Sequence, residues 1–390
     1  MDTLGRYYTK DSISRLLINT LETEKPKKIL DLGVGNASLS LAAYLKWANA
    51  KYYGTEIDSD STELIEQELS FIKIIKCDTL HPKPSERLRI QIGEIDIAIC
   101  NPPYVRINNK ARYFKLFNSI GCGKFCSLKR ITSEIVFLAH NLKLLKDTGE
   151  LAIIVSDSLI TGKEFQSFRE TILQEFDVRR VIQLPDKIFN KTEARTHVLF
   201  ISKTKSSNDF CEINISTDEG RLSPSIIVPK SKLNLRMDFQ YHKGFNYNHL
   251  KLKTLNQIGA VIKRGFYTYK DLRQQNLPFF HTVSFKEFNR TIKFCNEIPQ
   301  PVLKHCAISG DIITSRVGKR CIGKFAFIES GSIIVSDCIY RISIPKEYQQ
   351  AVLKSFQSQE GQAWLKIHAH GVCSQVISKA DLENFPLFGF

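Results

Sequence analysis

The sequence predicts a doubly wound, largely parallel α/β sheet followed by a second, smaller α+β domain, on three observations. Short apolar runs alternate with helix-like segments through residues 1–203. A glycine-bearing turn, Asp31-Leu32-Gly33-Val34-Gly35, closes the first run. Successive runs then end in acidic or amide side chains: Asp31, Glu56, Asp78 and Asn101. Open α/β sheets place their chemistry at the carboxyl ends of strands, so these four positions mark the candidate site.

Taken in order, Lys28–Leu32 reads as a strand ending at Gly33, and Ser38–Leu45 as a helix. Ala50–Ile57 is a strand, Ser61–Leu69 a helix, and Ile72–Lys76 a third strand. Ile95–Cys100, apolar except for Asp96, is a buried strand. A helix over Ser133–Leu145, a strand over Glu150–Val155 and a helix over Phe165–Glu175 follow. Val178–Gln183 and Thr196–Ser202 close the set. Residues 204–235 are more polar and lose the alternation, so the linker is expected there. Residues 236–390 carry short runs (Ile312–Thr314, Ile322–Ile328, Ile333–Val335, Ile339–Ile344) between glycines, then a helix from Tyr348 to about Ala369. That composition predicts a mixed α+β domain.

The 390 residues, 43% apolar and 24% charged, suit a globular protein of two domains. No run of 18 apolar residues marks a membrane span, and MDTLGRYYTKDS lacks a signal-peptide core, so a cytoplasmic location is expected. Ten scattered cysteines without a CxxC pair read as free thiols in a reducing compartment. Cys122, Cys126 and His140 have poor zinc spacing and lack a fourth ligand, so no metal is expected. The net charge of +15 points to a polyanionic partner, most simply nucleic acid. It is concentrated in places: residues 105–130 hold seven basic and no acidic side chains, with Tyr113, Phe114, Phe117 and Phe125 interleaved. Phosphate contacts from Arg106, Lys110 and Arg112 and stacking by the rings fit a DNA-facing loop.

Asn101-Pro102-Pro103-Tyr104 is the most informative tetrapeptide. Asn101 offers a carbonyl acceptor, the prolines stiffen the turn, and Tyr104 offers an aromatic face. Acceptors for an amino group beside a stacking plate suit chemistry on the exocyclic amine of a planar base. Upstream, Gly33 and Gly35 let the backbone approach a ligand closely, Glu56 can accept from ribose hydroxyls, and Asp78 from an adenine amino group.

With these residues in place, the chain resembles the gamma-class amino-methyltransferases that make N6-methyladenine in DNA. The resemblance rests on GRYYTKDSISRLL (5–17), DLGVG (31–35), Glu56, Asp78, NPPYVR (101–106), GELAIIVSDSLI (149–160) and IFNKTEARTHVLFIS (188–202), covering about residues 1–203. It implies a Rossmann-like methyltransferase domain that binds S-adenosylmethionine. Thr9 and the Asp31–Gly35 turn would line the methionine end, Glu56 with Ile57 would hold the ribose, and Asp78 the adenine. Asn36-Ala37 departs from the family, where many members have a further glycine. Residues 236–390 resemble, more loosely, a target-recognition domain of restriction-modification specificity subunits, through HTVSF (281–285), GDIITSRVGKRCIGKFAF (310–327) and GVCSQVISKADLENFPL (371–387). There Lys263, Arg264, Arg316, Lys319, Arg320 and Lys324 lie in or near glycine-containing turns, placed to reach guanine edges or phosphates.

The expected reaction is site-specific methylation of adenine N6 in duplex DNA, with the target base flipped out. Asn101 and the Pro102 carbonyl would accept from the amine, Pro103 would shape the turn, and Tyr104 and, by resemblance, Phe189 would stack on the base. The expected partners are double-stranded DNA and, as in restriction-modification systems, a separate restriction endonuclease or specificity chain; no nuclease activity is expected of this chain. The rival readings are methylation of RNA or of a protein glutamine amide, and a catalytically silent DNA-binding subunit.

Overall fold

The computed structural model describes residues 9–81, 84–186, 188, 195–205, 208–244, 252–274, 278–285, 289–294, 305–370 and 375–388. The chain divides into two compact units, Met1–His242 and Lys243–Phe390. In the first, the strands are β1 (Lys28–Leu32), β2 (Lys51–Glu56), β3 (Ile72–Lys76), β4 (Ile95–Cys100), the two-residue β5 (Arg106–Ile107) and β6 (Ile131–Thr132), β7 (Leu145–Ser156), β8 (Asp177–Gln183), β9 (Thr196–Ser202), β10 (Phe210–Ile215) and β11 (Ile226–Pro229). Nine of them form one sheet in the order β11-β10-β8-β9-β7-β4-β1-β2-β3. The strands β3, β2, β1, β4 and β7 run parallel, and β9 is antiparallel to both its neighbours.

The central strands are apolar on both sides because both faces of the sheet are covered. Ile29, Ile97 and Ile99 pack with the helices Asp11–Thr20, Ser38–Lys46 and Ser59–Glu68. Leu30, Ala98 and Cys100 point the other way, toward the helices Ser133–Leu144 and Gln166–Glu175. The helix Ser133–Leu144 is buried nearly all round, consistent with its lack of a polar face. Strand order reverses between β1 and β4, so the loops after these two strands part and leave a crevice.

The expected linker is not one. Within residues 204–235, β10 pairs in parallel with β8, and β11 pairs antiparallel with β10. They lie at the end of the sheet, β11 outermost and β10 beside it; the buried Cys211 and Ile213 alternate with Glu212 and Asn214, so the window reads as polar. The boundary between units falls instead at His242/Lys243. Buried polar groups fasten the segment before it. Arg169, fully buried, donates to the carbonyls of Leu159 and Gly162 (2.9 Å each), Asn234 (2.9 Å) and Leu235 (2.6 Å). Arg236 pairs in two-pronged fashion with buried Asp238 at 2.6 and 2.9 Å.

The second unit holds β12 (Val261–Arg264), β13 (Phe279–Phe280), β14 (Asn289–Lys293), β15 (Cys306–Ile308), β16 (Ile312–Ser315), β17 (Phe325–Ser330), β18 (Ser332–Val335) and β19 (Ile339–Ser343). They make a five-stranded sheet, β12-β19-β16-β17-β14, and a three-stranded one, β13-β18-β15. Ile313, Ala326 and Ile339 join the core shared by the two sheets, while Ile312, Phe325 and Ile342 pack on the helical side. The single helix expected from Tyr348 is two, Gln349–Gln357 and Gln359–His368. Ser358 lies between them in extended conformation, and its side chain accepts from Gly361 N. Apolar spacing carries on through the break, which is why the sequence reads as continuous. Among the described residues no helix is long and apolar enough to cross a membrane.

Replacing Arg169 by alanine leaves four carbonyls without their donor and empties a buried site. The expected loss is about 3–5 kcal/mol, read as a lower urea midpoint, with earlier proteolysis near residue 234. An unchanged midpoint would mean that the 234–242 segment is not held this way.

Candidate active site

A cavity of about 310 Å3 opens in the crevice between β1 and β4. Thr9, Gly33, Val34 and Gly35 line one part of it, Glu56, Ile57 and Asp78 another, and Asn101 and Pro103 a third. Phe137, from the helix Ser133–Leu144, completes the wall. Gly33 and Gly35 take φ of +78° and +60°, where a side chain is strained, and a Cβ on Gly33 would sit 3.1 Å from the Phe137 ring. Ala37 is also left-handed, at φ +60°. This is where the sequence departs from the family's extra glycine, and the backbone keeps a glycine-type conformation there at a cost of about 1–2 kcal/mol.

Glu56 is buried and accepts three backbone N–H groups: Gly35 at 2.9 Å, Ile57 at 2.9 Å and Asp58 at 3.1 Å. A carboxylate has about four acceptor positions, so one remains, on Oε2. Glu56 can therefore take one ligand hydroxyl without surrendering a backbone bond, rather than the two that its sequence position suggests. Asp78 Oδ1 accepts from Leu80 N at 2.9 Å, and no described residue engages its Oδ2, on the cavity wall.

Asp31 does not line the cavity. It lies beneath the turn, where Ser40 Oγ donates to its Oδ2 at 2.7 Å and its Oδ1 has no partner among the described residues. Burial pushes its carboxyl up to about 7, and the nearby Glu56 charge adds to the rise, while the Ser40 hydrogen bond opposes both.

The Asn101–Tyr104 loop leaves β4 at the cavity rim. The Asn101 amide donates to Thr9 Oγ1 at 3.0 Å, and the Tyr104 hydroxyl donates to Asn101 Oδ1 at 3.4 Å. Thr9 thus touches both the cavity and the amide. Pro102 is buried and Tyr104 half-buried, and neither lines the cavity. No described residue donates to the Pro102 carbonyl, whereas the Pro103 carbonyl accepts from Ser133 Oγ. Phe189 lies outside the described residues, as do residues 5–8, 190–194 and 371–374 of the motifs above.

The basic loop is only partly what its sequence suggests. Arg106 and Arg112 are exposed, and Lys110 donates to Leu128 O. Of its four aromatics, Tyr113, Phe117 and Phe125 are buried in the core, Phe117 edge-on to Phe125, so they cannot stack on nucleic acid. Phe114 alone is exposed, at 54%. The three buried rings join the core, where Phe125 meets Phe168 of the helix Gln166–Glu175, a need that composition does not reveal. Cys122 is buried among them, which pushes its thiol up to about 12, and the described residues contain no group of three or more metal-binding side chains.

In the second unit, β12 and β16 both end opposite the start of β19, which gathers the basic residues at one rim. Arg264 pairs with Asp337 at 2.7 Å, and Arg264 and Arg316 both donate through Nε to the Asp337 carbonyl at 2.9 Å. Lys324 donates to Phe285 O at 3.4 Å. These three hold loops in place. Lys263, Lys319 and Arg320 are exposed.

The family described as N-6 DNA Methylase matches residues 2–224. The methylase subunit of the type I restriction enzyme MpnII from Mycoplasma pneumoniae is 25% identical over 225 residues, which are 53% of this chain and 41% of that protein. The type II methyltransferase M.PstI from Providencia stuartii is 29% identical over 201 residues, 46% of this chain and 38% of that protein. The chain thus spans well under half the length of these relatives. Among solved structures, the type IIG restriction endonuclease BpuSI aligns with 97% of this chain and 58% of its own, at 14% identity and a TM-score of 0.50, a likeness of fold.

Because the Asp31 carboxyl is raised from 3.8 to about 7, the folded chain holds a proton there that the unfolded chain releases. This contribution to stability is present below about pH 4 and is lost as pH rises toward 7. Asp31→Asn, which keeps an acceptor for Ser40, is expected to stabilise the ligand-free protein relative to wild type, by more at about pH 8 than at about pH 5. Urea midpoints at the two pH values test this; a gap that does not widen with pH would contradict it.

Proposed function

Since the chain belongs to the N-6 DNA methylase family, we propose that it is a site-specific DNA adenine methyltransferase, moving a methyl group from S-adenosylmethionine to the N6 amine of an adenine flipped out of duplex DNA. The observation that carries this reading is the position of Asn101. Its amide is oriented by Thr9 at the rim of a cavity whose other walls present Gly33, Gly35, Glu56 and Asp78.

These residues fit the cofactor. The left-handed glycine turn admits a chain end against its backbone, the remaining Glu56 acceptor position suits a ribose hydroxyl, and the unengaged Asp78 oxygen suits an amino group. The unpartnered Asp31 oxygen places negative charge under the turn once that carboxyl ionises. When bound, S-adenosylmethionine supplies an electrophilic methyl group on a sulfonium with a neutral thioether as leaving group.

The chain supplies acceptors and alignment. Adenine's amine is a weak nucleophile because its lone pair is delocalised into the ring. Asn101 Oδ1 and the Pro102 carbonyl accept its two N–H bonds, which favours a pyramidal nitrogen with the pair directed outward. Tyr104 stacks on the extruded base. The proton leaves the amine after transfer, so no general base is required of Asn101.

The basic surplus and the exposed Arg106, Arg112, Lys263, Lys319 and Arg320 support duplex DNA as the substrate, with residues 243–390 as the unit that reads its sequence. The relatives' names support a place as the modification component of a restriction-modification system, working beside a separate specificity or nuclease chain.

The test is transfer of labelled methyl groups to mixed genomic DNA. Label is expected in N6-methyladenine, with Asn101→Ala slower by on the order of a hundredfold or more. Label in RNA or protein but not DNA would overturn the substrate assignment. If phosphate contacts dominate, DNA affinity should fall on the order of a thousandfold between about 50 and 200 mM salt for roughly six contacts; a flat salt response would contradict duplex binding by this surface.

A further inference from the structure

The Asn101–Tyr104 loop is clipped by a side chain that belongs to none of the motifs. Ser133 is fully buried at the first position of the helix Ser133–Leu144. Its hydroxyl donates to the Pro103 carbonyl and accepts from Val105 N at 3.1 Å, and its own backbone N–H donates to the Val105 carbonyl at 2.9 Å. A serine hydroxyl has one proton. With Val105 N–H occupying an acceptor position, that proton has one destination, the Pro103 carbonyl.

Two consequences follow from this direction. The Pro103 carbonyl already accepts from Ser133, one of its two acceptor positions, and of the two proline carbonyls in the loop only that of Pro102 has no donor among the described residues. The loop is also held at both ends: Thr9 fixes Asn101, and Ser133 fixes Pro103 and Val105.

The helix that provides the clip carries Phe137 one turn later on the same face. Phe137 lines the cavity and touches the space that a Cβ on Gly33 would need. The neighbouring Glu134, buried, accepts from Ser156 N at 2.7 Å and so ties the start of the helix to the end of β7. One rigid element therefore indexes both the acceptor loop and the wall of the cofactor cavity.

We propose that Ser133 is a positioning residue for methyl transfer, selecting the Pro102 carbonyl as the second acceptor and setting the loop's distance from the cavity. It does not line the cavity. The inference rests on the methyltransferase reading above, which is tested separately by transfer from the wild-type protein.

The experiment compares wild type, Ser133→Ala and Ser133→Thr in single-turnover transfer to DNA, with S-adenosylmethionine affinity and DNA affinity measured on the same preparations. Alanine removes both hydroxyl bonds. Its chemical step is expected to slow by on the order of tenfold to a hundredfold, the scale of a misplacement near 1 Å, with both affinities within about twofold of wild type. Threonine, which restores the hydroxyl, is expected to recover most of the rate. An alanine variant as fast as wild type would overturn the proposal. So would a rate loss matched by an equal loss of cofactor affinity, or one that threonine fails to relieve, since either describes general damage to the fold. A wild-type protein that binds cofactor but transfers no methyl group to DNA would remove the functional reading, and this inference with it.

Discussion

The site depends on one buried carboxylate. Glu56 accepts from Gly35, Ile57 and Asp58, which ties the turn after β1 to the end of β2. The same corner is laced further by Thr55, whose carbonyl accepts from Gly33 and Val34 at 2.9 Å and whose hydroxyl meets that of Thr79 at 2.7 Å. Cys77 N donates to the Glu56 carbonyl at 2.7 Å, bringing in the segment after β3. Hydrogen bonds to a charged acceptor contribute about 1.5–3 kcal/mol each. Three of them outweigh the roughly 1–2 kcal/mol of strain at left-handed Ala37. The turn can thus keep its conformation without the extra glycine, and the cavity floor does not wait for a ligand to form it.

Much of the first unit was legible because its signals are local. β1, β2, β3 and β4 are short apolar runs closed by a polar residue, and of the four positions this pattern marks, Glu56, Asp78 and Asn101 line one cavity while Asp31 lies beneath the turn. What was hidden depends on distant partners. Asn101 and Thr9 are 92 positions apart, so the bond between them has no sequence spacing to betray it. Ser133 stands outside every motif, and its role appears only once the helix is set against the loop. β10 escaped notice for another reason: its buried Cys211 and Ile213 alternate with Glu212 and Asn214, and those polar residues looked like a linker.

Charge shows the same division between composition and placement. The surplus of +15 counts Arg169 and Arg236 equally with Arg320. Yet Arg169 and Arg236 are interior ties, one to four carbonyls and one to Asp238, whereas Arg320 faces solvent. Exposed Arg264 and half-buried Arg316 both donate to Asp337, at the very rim where contact with a polyanion is proposed. Their fixed geometry holds the loop between β18 and β19, so any phosphate contact under the proposed function falls to the exposed Lys263, Lys319 and Arg320. The aromatics of residues 105–130 follow suit: three of the four serve the core, so the loop's claim on nucleic acid rests on its arginines and on Phe114.

An in-line displacement between two bound molecules tolerates little error in their separation, and error grows with the number of movable joints between the groups that hold them. In this chain the candidate acceptors sit on the loop after β4 and the candidate cofactor contacts on the loops after β1, β2 and β3. Neighbouring strands fix the bases of those loops but not their tips. The helix Ser133–Leu144 closes that gap, because Ser133 grips one tip and Phe137 supports the other from positions about 6 Å apart along a single rigid axis. Its burial on nearly every side then has a purpose beyond core packing: a helix that cannot rock within the core cannot change the distance between the two loops it touches.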